Sequence, residues 1–186
     1  MSDQYGGTST PAPKKVTVPD LVAMKRDGKR ITMMTAYDAA FARLVDQAGI
    51  DVILVGDSLG MVVLGYPTTV PVTMDDMIRH AAAVSRGTTR PLLIGDMPFG
   101  SYQTSPSDAL RNAARFLKEA SMDAIKVEGG AEVVETVRTL SANGIAVMAH
   151  VGLTPQRVSQ LGGFKVQAKT ARAARRLIDE IGRAHV

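Results

Sequence analysis

There is no cysteine and no tryptophan in this chain of 186 residues, and aromatic side chains make up only 4% of it. Without thiols the fold cannot rest on disulfides, and thiolate catalysis is excluded. The shortage of aromatics removes the stacking platforms on which single-stranded nucleic acid is bound. No apolar run approaches the ~18 residues of a membrane-spanning helix. Charge of one sign is scarce too: 22 Lys and Arg against 18 Asp and Glu leave a formal +4. Much of that excess falls at Lys165, Lys169, Arg172, Arg175 and Arg176, a pattern expected of a solvated helix face. Neither nucleic acid nor a membrane is an expected partner. Residues 1–16 are rich in Ser, Thr, Gly and Pro and lack the apolar stretch of a secretory signal. They are expected to form a disordered leader, and the protein is expected to be cytoplasmic.

What is present is an alternation of strand and helix. Thr17 is expected to cap a helix over 18–26 that stops at Gly28. Strands are predicted at 31–35, 51–56, 91–95, 123–127 and 145–149. Each is short and apolar, the signature of strands buried on both faces of a parallel sheet. Helices are predicted over 39–48, over 73–86 with Thr73 as N-cap, from Ser105 onward, over 131–141 and over 169–180. Loops are predicted at 59–71 and 152–167. Repeating units of roughly 30 residues suit either a doubly wound sheet or a (β/α)8 TIM barrel. The barrel is favoured, because functional-looking residues end four successive strands and no G-x-G-x-x-G follows the first. A barrel needs eight strands. Five are legible, so an α/β fold is expected over 17–180 as an incomplete barrel that stops mid-fold.

Three strands end in a carboxylate: Val52-Ile-Leu-Val-Gly-Asp57, Leu92-Leu-Ile-Gly-Asp96 and Ala124-Ile-Lys-Val-Glu128. Ligands of parallel α/β folds sit at the carboxyl ends of the strands. One acid there is often no more than a helix cap or loop anchor. Three at matching positions point to a metal or substrate site. An all-oxygen set favours a hard divalent cation, Mg²⁺ before Zn²⁺. Lys126 and Glu128 are two apart on one strand and so share a face. They form either a buried ion pair or, beside the other acids, a place where Lys126 meets an anionic substrate. Ser58 has no G-x-S-x-G around it and is read as a hydrogen-bonding group, not a nucleophile. Tyr37 and Asp38 end the first strand and suit a structural or a pocket role equally. His150 ends the fifth strand and is read as a pocket residue. His80, in mid-helix, is read as a surface one.

The segments Thr35-Ala-Tyr-Asp38, Leu54-Val-Gly-Asp-Ser-Leu-Gly60, Thr69-Val-Pro-Val72, Gly95-Asp-Met-Pro-Phe99, Lys126-Val-Glu-Gly-Gly130, His150-Val-Gly-Leu-Thr-Pro-Gln156 and Gly162-Gly-Phe-Lys-Val-Gln167 together resemble the ketopantoate hydroxymethyltransferase family of pantothenate synthesis. The resemblance implies a barrel of the phosphoenolpyruvate/pyruvate superfamily. It implies Mg²⁺ at Asp57, Asp96 and Glu128, and a 2-oxo acid contacted by Asp57, Ser58, Asp96 and Lys126, with His150 and Tyr37 nearby. The implied reaction moves a hydroxymethyl group from 5,10-methylenetetrahydrofolate to 3-methyl-2-oxobutanoate through a Mg-stabilised enolate and gives 2-dehydropantoate. The full-length family form is expected to be a homo-oligomer.

The chain departs from the family in one respect. The family's general base is a Glu in an apolar-Glu-x-Val-Pro type segment, and none of Glu119, Glu132, Glu135 or Glu180 lies in one. The catalytic base is therefore unassigned, and this chain alone is expected to be inactive. Ile181-Gly-Arg-Ala-His-Val186 reverse-translates, with a stop, into a common sequencing-library adapter, so 181–186 is expected to be a non-native tail. Two other readings stand beside this one. One is a different Mg-dependent enzyme of the phosphoenolpyruvate mutase/isocitrate lyase superfamily, which would be expected to carry a Lys-Lys-Cys-Gly-His-type loop. The other is a non-catalytic fragment that binds metal or keto acid.

Overall fold

The computed structural model of the chain describes residues 14–163 and 165–183. Five strands are present among them: β1 (Met33–Thr35), β2 (Val52–Val55), β3 (Leu92–Asp96), β4 (Ala124–Glu128) and β5 (Ala146–His150). They pair in parallel in the order β1-β2-β3-β4-β5. Each strand lies beside the next in sequence, with no reversal of order. A doubly wound sheet would have a switch point, so the topology is an arc of a barrel. The helices are α1 (Val18–Arg26), α2 (Ala39–Gln47), α3 (Leu59–Val62), α4 (Met74–Gly87), α5 (Pro106–Ala120), α6 (Val134–Ala142), α7 (Val158–Leu161) and α8 (Ala171–Arg183).

Local chemistry explains where the helices start. Thr17 and Thr73 each form a capping box, with Asp20 and Asp76 as the reciprocal acids. Asp38 caps α2 and Ser105 caps α5 through their side chains. The alternation of the strands then splits the apolar residues into two cores. Ile53, Val55, Leu93, Ile125 and Val127 join Met77, Ala81, Ala113, Phe116 and Leu140 in the layer between sheet and helices. Val52, Leu92, Ile94 and Ala124 form a second, smaller core with Val16, Leu21 and Met148. Lys126 and Glu128 continue the Ala124 face toward the carboxyl ends of the strands. The inner face is thus apolar at one end and charged at the other.

Several expectations need correction. Strand burial on both faces holds for β3 and β4, but every residue of β1 is exposed and β5 is half-buried. Apolar sequence permits burial; covering elements must supply it, and these two strands are the edges of the described sheet. The expected loop at 59–71 contains α3, and the one at 152–167 contains a 3₁₀ turn over Pro155–Arg157 followed by α7. Such single turns are too short to show a helical apolar period. His80 is not a surface residue: it is half-buried, and its Nδ1 lies 2.6 Å from the Tyr37 carbonyl oxygen. The folded part also reaches back past residue 17. Val16 is buried and donates its N–H to the Arg90 carbonyl at 2.7 Å. The rest of the expected leader, residues 1–13, lies outside the described residues, as does 184–186 of the expected tail. The basic side chains Lys165, Lys169, Arg172, Arg175 and Arg176 are exposed, as a solvated face requires.

Candidate functional site

Strand register assembles the site. Asp96 on β3 is the register partner of Lys126 on β4, and Glu128 on β4 is the register partner of His150 on β5. Register partners in a parallel pair project to the same side of the sheet. Lys126 Nζ accordingly donates to both Asp96 oxygens, at 2.7 and 2.8 Å, and to Glu128 Oε1 at 3.1 Å. His150 Nδ1 lies 3.1 Å from the same Glu128 oxygen. Asp57 arrives from the turn after β2, and its backbone N–H donates to Asp96 Oδ2 at 3.1 Å. Asp57, Asp96, Lys126 and Glu128 are all buried, none more than 7% exposed.

The remaining expected residues sit at the margin. Tyr37 and Ser58 pair with each other, hydroxyl to hydroxyl, at 2.9 Å. Ser58 reaches the acids through its chain neighbour Asp57. Of the four glutamates excluded as bases, Glu119, Glu132 and Glu180 are ion-paired to Arg115, Arg157 and Arg176. A cleft of about 310 Å³ opens beyond Gly129 and Gly130, with Arg157 and Arg176 on its wall, but none of the clustered acids lines it.

Two site residues escaped sequence reasoning. Gln156, in the 3₁₀ turn after β5, donates from Nε2 to Asp57 Oδ2 at 3.0 Å, and its backbone N–H donates to Glu128 Oε2 at 3.1 Å. Tyr102 donates its hydroxyl proton to Gln156 Oε1 at 2.7 Å and accepts the Glu128 N–H at 3.0 Å. Gln156 closes a quoted segment, but its side-chain chemistry alone carries no signal of a site.

Electrostatics set the protonation of the cluster. Burial raises the Asp57 carboxyl above its usual range, and Lys126 and Gln156 only partly offset this. Burial, reinforced by the Asp57 charge, pushes Asp96 up to about 7 despite the Lys126 ammonium. Burial also opposes the charge on Lys126, but Asp96 and Glu128 outweigh it and the ammonium is held more firmly than usual. Glu128 is held below its ordinary value: burial works against this, but His150, Lys126 and the Gln156 N–H overcome it. Thr69 is buried, and its hydroxyl has no partner in good hydrogen-bond geometry. It nevertheless lies close enough to Asp57 to favour the charged carboxylate.

No group of three or more His, Cys, Asp or Glu side chains among the described residues stands ready to hold a metal ion. The reason is visible: Lys126 lies between Asp96 and Glu128, and both oxygens of each carboxylate are engaged. The donor set still suits a magnesium-like ion, which uses one or two carboxylates and takes its other ligands from water and substrate. Asp57 and Asp96 are adjacent and would supply that pair, with the ion displacing Lys126 from one Asp96 oxygen. Burial raises the Asp57 and Asp96 carboxyls, and a divalent cation beside them would favour their charged form.

The arc of parallel barrel places the chain in a fold class that solved enzymes share. A phosphonopyruvate hydrolase, solved in complex with oxalate and Mg²⁺, superposes with a TM-score of 0.64 at 17% identity, over 88% of this chain and 58% of that one. A 2,3-dimethylmalate lyase superposes with a TM-score of 0.61 at 16% identity, over 90% and 60%. At that identity the likeness concerns the fold.

The sequence narrows this class. The model of the ketopantoate hydroxymethyltransferase family matches residues 15–185, and the chain belongs to that family. The 3-methyl-2-oxobutanoate hydroxymethyltransferase of Heliobacterium modesticaldum is 59% identical over 167 residues, 90% of this chain and 60% of the relative. That of Thermobifida fusca is 53% identical over 176 residues, 95% and 62%. The chain therefore spans about 60% of the length of the curated relatives it matches. The reading as a different enzyme of the wider superfamily gives way to this family. Among the described residues no helix is long and apolar enough to cross a membrane.

Proposed function

We propose that this chain carries the 2-oxo-acid site of a hydroxymethyltransferase that converts 3-methyl-2-oxobutanoate to 2-dehydropantoate, with 5,10-methylenetetrahydrofolate as the one-carbon donor. The observation that carries the reading is the buried set of Asp57, Asp96 and Glu128 around the single ammonium of Lys126. Asp57 and Asp96 would hold Mg²⁺, with Glu128 behind them, fixed by Lys126, His150 and the Gln156 N–H. When bound, the ion would draw electron density from the keto oxygen of a 2-oxo acid and make the neighbouring C–H more acidic.

The protein's own groups do the rest. Lys126 offsets the carboxylate charge of the substrate while staying ionised through Asp96 and Glu128. Ser58 and Tyr37 offer hydroxyls at the rim. His150 presents its half-exposed ring beside Glu128. Burial of the acids keeps water from competing for the substrate. Proton removal from the C–H needs a further base. Glu119, Glu132 and Glu180 are committed to arginines, and Glu135, on α6, makes no contact with the clustered acids, so this chain should bind the oxo acid without turning it over.

Calorimetry on the chain with Mg²⁺ and 3-methyl-2-oxobutanoate tests this. Binding of the acid should require the ion, and Asp57→Asn and Asp96→Asn should each abolish the Mg²⁺-dependent binding. Oxo-acid binding that ignores Mg²⁺, or that survives both substitutions unchanged, would refute the site. Formation of 2-dehydropantoate by the chain alone would refute the missing-base argument.

A further inference from the structure

We propose that Gln156, backed by Tyr102, is a positioning residue that sets the orientation of Asp57 and ties it to Glu128. The inference rests on the 2-oxo-acid site proposed above and concerns how that site is held in shape.

The hydrogen-bond accounting of one side chain carries the argument. A primary amide has two N–H donors and two acceptor positions on oxygen. Gln156, only 4% exposed, uses them all. Nε2 donates to Asp57 Oδ2 at 3.0 Å and to the Met97 carbonyl at 2.9 Å. Oε1 accepts from the Tyr102 hydroxyl at 2.7 Å and from Gln103 Nε2 at 3.3 Å. Turning the amide over would set its oxygen against two acceptors, so only one orientation satisfies the surroundings. The backbone N–H of the same residue holds Glu128 Oε2 at 3.1 Å. One residue from the turn after β5 thus grips the ends of β2, β3 and β4.

Asp57 has few other anchors. It lies beyond the last paired residue of β2, so no strand ladder holds its backbone. With Oδ2 taken by the amide, Oδ1 is the oxygen not committed to Gln156. Tyr102 locks the arrangement from behind: its hydroxyl accepts the Glu128 N–H at 3.0 Å while donating to Gln156. A carboxylate held in this way reaches a ligand already oriented, and loss of such an outer partner costs metal or ligand affinity about 10–100-fold.

The test uses Gln156→Met, which keeps the length of the side chain and the backbone N–H to Glu128 but removes the amide. Tyr102→Phe is the second variant, and Val137→Ala, in the outer core, is a control for lost packing. Two readouts are taken on the 186-residue chain at one fixed pH: the ¹³C resonances of the Asp57 and Glu128 carboxyl carbons without ligand, and the Mg²⁺-dependent affinity for 3-methyl-2-oxobutanoate. Gln156→Met should shift the Asp57 carboxyl resonance and weaken the acid about 10–100-fold. Val137→Ala should do neither, even where it melts at the same lowered temperature. If Gln156→Met does not fold, Tyr102→Phe must shift the Glu128 resonance and weaken the acid. Unmoved carboxyl resonances, or an affinity loss no larger than in Val137→Ala, would overturn the inference. If the unsubstituted chain binds no oxo acid, the functional reading fails, and the carboxyl resonances alone still decide whether Gln156 positions Asp57.

Discussion

Replacing Lys126 by Met removes the only ammonium from a buried group of three carboxylates while keeping an unbranched side chain. In the native site that ammonium makes contacts of 2.7, 2.8 and 3.1 Å to Asp96 and Glu128. Stranding one side of a buried ion pair costs about 3–5 kcal/mol. That is more than half of the stability of a domain at the lower end of the usual range, about 5 kcal/mol. The cost should depend on pH, and its sign follows from Asp96. Burial and Asp57 raise its carboxyl from the ordinary 3.8 to about 7. Over that interval the folded state keeps a proton that the unfolded chain has released, so this group's stabilising contribution is complete below the unfolded value and is lost as pH rises through about 7. Without Lys126 the Asp96 carboxyl must rise further and the interval extends to higher pH. Each added unit is worth about 1.4 kcal/mol. The destabilisation by Lys126→Met should therefore be largest near pH 8. It should be smaller by a kcal/mol or more near pH 5, where Asp96 is protonated in both proteins. Urea unfolding followed by circular dichroism at several pH values between those limits measures it, with Lys14→Met, an exposed residue, as a control that should change little. A destabilisation that is flat with pH, or largest at pH 5, would refute the view that Lys126 compensates charge in this cluster.

Two further outcomes follow from packing and capping. A methyl group on Gly95 would collide with one edge of the Phe116 ring, which is fully buried, so Gly95→Ala should cost about 1–3 kcal/mol in thermal or urea unfolding, and Phe116→Leu in the same chain should recover part of the loss. Thr73→Ala breaks the capping box of α4 and should cost about 1 kcal/mol by the same measurement; an unchanged midpoint would show that tertiary packing, not the cap, fixes the start of that helix.

Helix starts were legible because they are written within four residues: Thr17 with Asp20, Thr73 with Asp76, and Ser105 with Asp108 satisfy orphan N–H groups whatever the rest of the chain does. Strand cores were legible because an apolar run between helices has few other uses in an α/β fold, and the acids at their ends mark the face where a ligand would sit. The family, too, could be named from short segments in their order along the chain. Sequence did not show which strands are covered: β1 looks as apolar as β3, and only the absence of a covering neighbour among the described residues leaves it exposed. Nor did it show that Lys126 would lie between Asp96 and Glu128, since that depends on the register of β3 against β4. Gln156 meets Asp57 across 99 positions of sequence, and Tyr102 meets Gln156 across 54. Contacts of that span have no local pattern, because each partner is an ordinary polar residue where it stands. Local chemistry settled the elements and the acids; the packing of strands side by side decided that Asp96 and Glu128 share a lysine and that Asp57 and Glu128 share a glutamine.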